Sequence, residues 1–530
     1  MDAELEVSAL AEHRATTLTR IGHGALRWSR EAANTPAISE AGRHWTYGQL
    51  GNAIAEAASL LRDLGVASGD RVMLIGENSM ALAALILAAG ELDVCAVLEN
   101  ARRAPREVDL IRSHCEPRRV LYTVGASAAA MAHAQRHGAV SRMLPMLGEL
   151  AFSAEAAPCM ADPVAGDASD VAVLIYTTGT TGNPKGVMLT HANLLYLACM
   201  MKRLRYLTPH DRVYGVLPIT HVMGLVAAFG ATLSAGAHLE LVARFSAADC
   251  VRALTCDGIT VMQGAPAMFA KLVQFALEHP FRAPTLRFIA AGGAPIDPTV
   301  KEGTEALFGQ TLHNGYGLTE GSGLCWTRLD EANADCAVGR PPPGVELKLR
   351  DASGQEVASG QVGELWARGP NVMKGYYRNP EQTTQVMRPG GWFNTQDLAR
   401  QSPDGRFFIE GRIKELIISS GFNVYPLEVE TALNAHPAIV QSAVVGRVAE
   451  GTEEVIAFVE LVEGQSLSLR DIHHFLADRI SPYKRPREFF AMAALPSSPN
   501  GKILKTQLKD IAQRGLAAAG VDDGSVAVIT

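Results

Sequence analysis

The stretch Tyr176–Val187, YTTGTTGNPKGV, sets Thr177, Thr178, Thr180 and Thr181 around Gly179 and Gly182 and follows them with Lys185. Hydroxyls, glycine-exposed backbone amides and an ammonium all donate hydrogen bonds, and none is negative. Such a set suits phosphate oxygens. It is not a Walker loop, because the glycine-to-lysine spacing differs and Gly186 stands where that loop needs Ser or Thr. No GxGxxG follows an expected strand either, so the dinucleotide fingerprint is missing. The weaker alternative for the stretch taken alone is a flexible surface loop.

Further stretches change that reading. NGYGLTE (Asn314–Glu320) places an aromatic, a hydroxyl and a carboxylate within one turn, and GWFNTQDLA (Gly391–Ala399) carries Asp397. GRIKELIISSGFNVYPLEVE (Gly411–Glu430) and LPSSPNGKILK (Leu495–Lys505) follow, the latter holding Lys502. With YTTGTTGNPKGVMLTH and in this order, they resemble the motif set of the adenylate-forming superfamily, which includes acyl-CoA synthetases, luciferases and peptide-synthetase adenylation domains. The resemblance runs from HWTYGQL near residue 45 to Lys505.

The chemistry accounts for the residue types. A carboxylate is a poor electrophile, so such an enzyme first attacks the α-phosphate of ATP with it, releasing pyrophosphate and forming an acyl-adenylate. Donors and cations that hold the developing charge supply several kcal/mol. The resemblance implies that Thr177, Thr178, Gly179, Thr180, Thr181, Gly182 and Lys185 hold the β- and γ-phosphates. It gives Asn314, Gly315, Tyr316 and Gly317 to the nucleotide site, with Tyr316 stacked on adenine. Thr319 goes to the α-phosphate and Glu320 to Mg²⁺, a hard cation that takes oxygen ligands. Asp397 is implied as acceptor of the ribose hydroxyls, with Arg412 beside it. The usual Thr-Gly-Asp is Thr395-Gln396-Asp397 in this chain.

Lys502 resembles the lysine that reaches the α-phosphate and the substrate carboxylate, although a lysine in such a turn is ordinarily just solvated. The resemblance further implies a second step, in which a C-terminal domain turns about Lys414 and presents Ser420, Gly421 and Phe422 to a pantetheine tunnel for coenzyme A. The acyl pocket is expected from His221, Met223, Gly224, Met262, Ala291, Gly292, Gly293 and Ala294. No aspartate lies between Pro218 and Phe229 to meet a substrate amine, which disfavours amino acids. Small residues on one wall and methionines on the other suit an aromatic, arylpropenoic or medium- to long-chain fatty acid. The alternative is an enzyme that loads the pantetheine of a carrier protein.

The elements that must position these groups follow from the hydrophobic pattern. Runs such as RVMLIG, VAVLIYT, DRVYGVLP, HLELV, GITVMQG and LRFIAAGG alternate with Ala- and Leu-rich segments of helical period, the mark of parallel α/β structure. A large N-terminal domain is expected over 1–411, with a β-rich subdomain from about 338. A mobile α+β domain follows over 412–510, and a flexible tail over 511–530. At 530 residues the chain exceeds a single core.

Lys plus Arg number 48 against 55 Asp plus Glu, a formal charge of −7, so nucleic acid is not an expected partner. The partners expected are the acid, ATP and coenzyme A, and the sequence is compatible with a homodimer. The eight cysteines show no metal spacing and read as reduced thiols, and the acidic N-terminus does not resemble a secretory signal, so a cytoplasmic location is expected. Val213–Ala237 lacks charged residues over a membrane-spanning length, but Pro218, His221 and its glycines suit a buried loop and helix better.

Overall fold

The structure is a computed structural model that describes residues 18–155, 157, 159–178, 184–329, 334–419, 422–449, 452–462, 464–497, 502–514 and 527–529. The expected strands form two eight-stranded sheets. One runs in the order Cys325–Trp326, Leu312–Tyr316, Phe288–Ala291, Val261–Gly264, Arg212–Gly215, His238–Leu241, Pro36–Glu40, Arg43–Thr46. The other places Val171–Thr178 between Pro184–Thr190 and Cys95–Asn100, with Arg71–Gly76 and Arg119–Tyr122 beyond. The pairing within each sheet is parallel except toward the edges, where hairpins close it, as at Val171–Thr178 with Pro184–Thr190.

The layers follow from which faces are apolar. Helix Met80–Glu91, MALAALILAAGE, is hydrophobic all round and is buried on nearly every side. It shares one core with Leu74 and Val173 of one sheet and Val213 and Leu239 of the other, so helices fill the space between the sheets. Helices Pro105–Cys115 and Ala128–Arg136 cover the outer face of one sheet, and Ala247–Cys256 and Pro266–Glu278 that of the other. A five-stranded antiparallel sheet, including Trp392–Gln401 and Phe407–Arg412, has its own small core around Leu365, Ala399 and Phe407.

The small C-terminal α+β domain is built on Ile439–Ala449, Thr452–Leu461 and Glu488–Met492, with Ile417–Ser419 and Phe422–Val424 paired separately. The expected boundary of the tail needs correction. The last helix runs Lys505–Arg514 because Leu508 and Ala512 seal one face of this sheet, and Ala527–Ile529 pair in parallel with Glu488–Met492. Among the described residues no helix is long and apolar enough to cross a membrane. Val213–Ala237 becomes strand, loop, a π-helix over Met223–Gly230 and a short helix. None of the eight cysteines is joined in a disulfide.

Candidate active site

The hairpin Val171–Thr178 and Pro184–Thr190 sets Thr177 opposite Lys185. Gly179, Thr180, Thr181 and Gly182 lie outside the described residues, as does the side chain of Thr178. The Lys185 ammonium sits 5.1 Å from the ring centroid of Tyr376, whose hydroxyl donates to Glu320 Oε1 at 2.9 Å. Burial, then the charge of Lys414, holds the Lys185 ammonium below its ordinary pKa. Burial holds the Glu320 carboxyl above its own. Tyr376 thus joins a cation to a carboxyl across two motifs. The sequence reading missed it, because the pairing of Gly375–Tyr376 with Val187 and Met188 is a long-range register.

In the NGYGLTE segment the glycines are required by packing. A Cβ on Gly315 would stand 2.6 Å from the Trp326 ring, and one on Gly317 2.4 Å from the Gly323 amide. Asn314 spends its side chain on the fold, donating to the carbonyls of Cys336 and Ala337. Thr319 is buried in the following turn. Tyr316 ends its strand with its hydroxyl donating to Asp397 Oδ2. Asp397 faces Arg412 across paired strands, with the guanidinium Nε 3.3 Å from Oδ1. Burial raises the pKa of this carboxyl, and Arg412 opposes the shift.

Gln396 has a φ of +61°, a left-handed conformation for which glycine is the usual occupant. That explains how the chain tolerates the departure from Thr-Gly-Asp. The turn keeps its shape and a side chain bears the strain, while Asn394 Oδ1 accepts the Gln396 amide at 2.8 Å and Thr395 Oγ1 accepts that of Asp397 at 3.1 Å.

Lys414 lies in the 3-10 turn Ile413–Glu415 that leads out of the small sheet. From the far end of the C-terminal domain, Lys502 is brought within electrostatic reach of Arg412, Asp397 and His221. The residue keeps solvent access, yet desolvation of its ammonium, followed by the repulsion of Arg412, pushes its pKa down to about 8. Lys505 anchors this end, its Nζ 2.7 Å from Glu430 and 3.2 Å from Glu415. Ser420 and Gly421 lie outside the described residues, and Phe422 is 55% exposed and stacked on Tyr483 at 4.6 Å.

On the other side His221 is half-buried, and burial, then Lys502 and Arg103, push its pKa down to about 4, so the imidazole is neutral at pH 7. Its Nδ1 accepts the Met223 amide at 3.4 Å. Gly224, in the first turn of the π-helix, is pressed against Pro218, whose carbonyl oxygen a Cβ would meet at 2.1 Å. Met223 lies against the glycine wall. A Cβ on Gly292 would stand 3.1 Å from Met223 Cε, and one on Gly293, at φ +82°, 3.7 Å from Sδ. Ala294 is half-buried just beyond. Met262 and Ala291 do not join this wall. Both pack on the opposite face of their sheet, under the outer helices with Cys250 and Phe269.

The family model for AMP-binding enzymes matches residues 26–377, and that for the C-terminal domain of the same enzymes matches residues 428–502. The chain belongs to the AMP-binding enzymes. Among relatives of this AMP-binding enzyme, the feruloyl-CoA synthase of Amycolatopsis sp is 31% identical over 92% of this chain and 98% of its own. The sulfoacetate–CoA ligase of Cupriavidus necator is 31% identical over 88% and 93%. The ATP-bound structure of MatB from Rhodopseudomonas palustris superposes with a TM-score of 0.81 at 29% identity, covering 92% of this chain and 98% of that one. The AMP-binding enzyme described here is therefore a carboxylate–CoA ligase, an AMP-forming acid–thiol ligase of the adenylate-forming superfamily.

Proposed function

We propose that this ligase adenylates an aromatic, arylpropenoic or medium- to long-chain fatty acid with ATP and then transfers the acyl group to coenzyme A. The observation that carries the reading is the position of Lys502. One ammonium from the C-terminal domain acts on the Asp397–Arg412 pair and on His221 together, as a group bridging a nucleotide and an acid must. In this reading Asp397 accepts the ribose hydroxyls, Arg412 stands beside it and Tyr316 packs on the base. Thr177, Lys185 and Thr319 face the phosphates. Glu320 would hold Mg²⁺ together with phosphate oxygens and water, which suits an ion that takes few protein carboxylates, and the ion would neutralise phosphate charge. Neutral His221 offers the acid a hydrogen bond without fixing a charge beside it.

Lys502, protonated below about pH 8, stabilises charge as the carboxylate meets the α-phosphate. Rotation about Lys414 then withdraws Lys502 and admits the thiol along the segment holding Ser420, Gly421 and Phe422. The acid class rests on Met223, Gly292 and Gly293, which offer a wall of little volume and no charge. The feruloyl-CoA relative agrees with that class, whereas a sulfoacetate-like acid would bring an anion to an apolar wall.

The test is acid-dependent exchange of pyrophosphate into ATP over acetate, octanoate, benzoate and cinnamate, followed by thioester detection with coenzyme A. Acetate should rank last, forfeiting about 0.8 kcal/mol for each methylene it leaves unfilled. Acetate as the best substrate would refute the pocket, and exchange without any thioester would redirect the acyl group to a carrier-protein pantetheine.

A further inference from the structure

Strand Val261–Gly264 lies parallel to Phe288–Ala291, with Gln263 opposite Ala290. Side chains alternate along a strand, so Val261 and Gln263 share one face and Met262 takes the other. Met262 goes to the outer core with Ile289 and Ala291. Val261, Phe288 and Ala290 instead face the layer between the sheets, where Met223 packs. Gln263 therefore stands on the strand face that continues toward Gly292, against which Met223 packs.

Its chemistry does not match its surroundings. Gln263 is 1% exposed, and neither Nε2 nor Oε1 has a hydrogen-bond partner among the described residues. A buried amide with donors and acceptor unmet destabilises the free protein, and an apolar side chain of similar size would avoid the cost. A residue kept at such a cost points to a partner that arrives with the ligand.

We infer that Gln263 sets the specificity for the acid, its amide reading a neutral hydroxyl on the acyl group. An amide both donates and accepts, and so does a hydroxyl. A second carboxylate or an ammonium would need a counter-charge; Val261, Phe288, Ala290 and Met223 carry none, and the buried Arg205 lies over the Phe288 ring with its guanidinium donating to the Ala227 carbonyl. His313, beside Ala290 on the next strand, is neutral at pH 7, its pKa pushed down to about 4 by burial. The inference rests on the proposed reading of this wall as the acyl pocket.

Pyrophosphate exchange with matched pairs tests it, 4-hydroxybenzoate against benzoate and 4-hydroxycinnamate against cinnamate, in the unaltered enzyme and in Gln263→Met. In the pair that is used better, the hydroxy acid should lead in kcat/KM by roughly 10- to 100-fold, the scale for satisfying one buried polar group. Gln263→Met should bring the ratio close to one while sustaining turnover of the unsubstituted acid. The same variant should raise the Tm of the ligand-free protein by a few degrees, since the orphaned amide is gone. Equal use of both members of each pair by the unaltered enzyme would overturn the inference and leave the ligase reading intact. An equal loss on both acids in Gln263→Met would also overturn it, showing an amide that serves packing or a buried water only. Exchange with no acid at all would overturn the ligase reading and this inference with it.

Discussion

The two sides of the site are held in different ways. On the large-domain side, Lys185 and Tyr316 stand near the ends of their strands, Asp397 in the middle of Trp392–Gln401 and Glu320 in the turn after Tyr316, beside packed cores. The positions of Lys185, Tyr316 and Asp397 are consequences of register, fixed by the sheets. On the C-terminal side, Lys502 reaches the same place from a short segment held beside it by the Ser497–Ile503 bridge and by Lys505 between Glu415 and Glu430. The difference separates a fixed nucleotide platform from a cation that is supplied by docking and can be withdrawn.

The comparison breaks most sharply at Lys502. Replacing it with Ala should lower adenylation by roughly 100- to 1,000-fold, the scale for losing a charge-stabilising donor. Thermal stability should barely change, and a supplied acyl-adenylate should still be converted to thioester. Equal loss in both half-reactions would mean that the ammonium does not leave between them. Next, Lys505→Met removes the anchor. Lys505 keeps some exposure, so the loss of its ion pairs should cost roughly 2 kcal/mol, below the range for a fully buried pair. Urea unfolding should show this, and adenylation should fall with Lys502 chemically intact. An unchanged midpoint would remove Lys505 from the anchoring role.

A pH profile sharpens the same contrast. Lys502 has a folded pKa lowered to about 8, below its ordinary value, so kcat/KM for exchange should fall as pH rises through 8 and the ammonium loses its proton. The sign for stability is opposite. From about pH 8 up to the ordinary lysine range the unfolded chain binds the extra proton, so this group's contribution to stability rises with pH. A profile flat to pH 9.5 would separate Lys502 from the rate. The smallest effect belongs to Gln396→Gly, which relieves a left-handed residue at the cost of a freer unfolded chain and should stabilise by roughly 0.5–1 kcal/mol. Destabilisation would show that the Gln396 side chain makes contacts that outweigh its backbone strain.

The fold was legible wherever function and local pattern coincide. The alternation of short apolar runs with helical segments yields the two sheets, and the motif stretches mark Tyr316, Asp397, Arg412 and Lys502, which the fold gathers from distant parts of the chain. What stayed hidden depends on parity and register. Met262 reads as a pocket residue because it is apolar and adaptable, but alternation sends it into the outer core and puts its polar neighbour Gln263 on the inner wall. Tyr376 and Lys505 carry no signal of their own, since each matters through a partner far away in sequence. The tail was misjudged at its start because a polar helix with only Leu508 and Ala512 buried looks, residue by residue, like solvent-exposed chain.

The hydrogen bond from Tyr316 to Asp397 sets what the proposed ribose acceptor offers an incoming nucleotide. A carboxylate accepts more than two hydrogen bonds, so the phenol leaves room for ribose hydroxyls and holds the carboxylate in place before they arrive. Where ribose binding moves the phenol off that oxygen, the absorbance of the tyrosine changes with it, and a difference spectrum on adding ATP would read occupancy of the proposed nucleotide site.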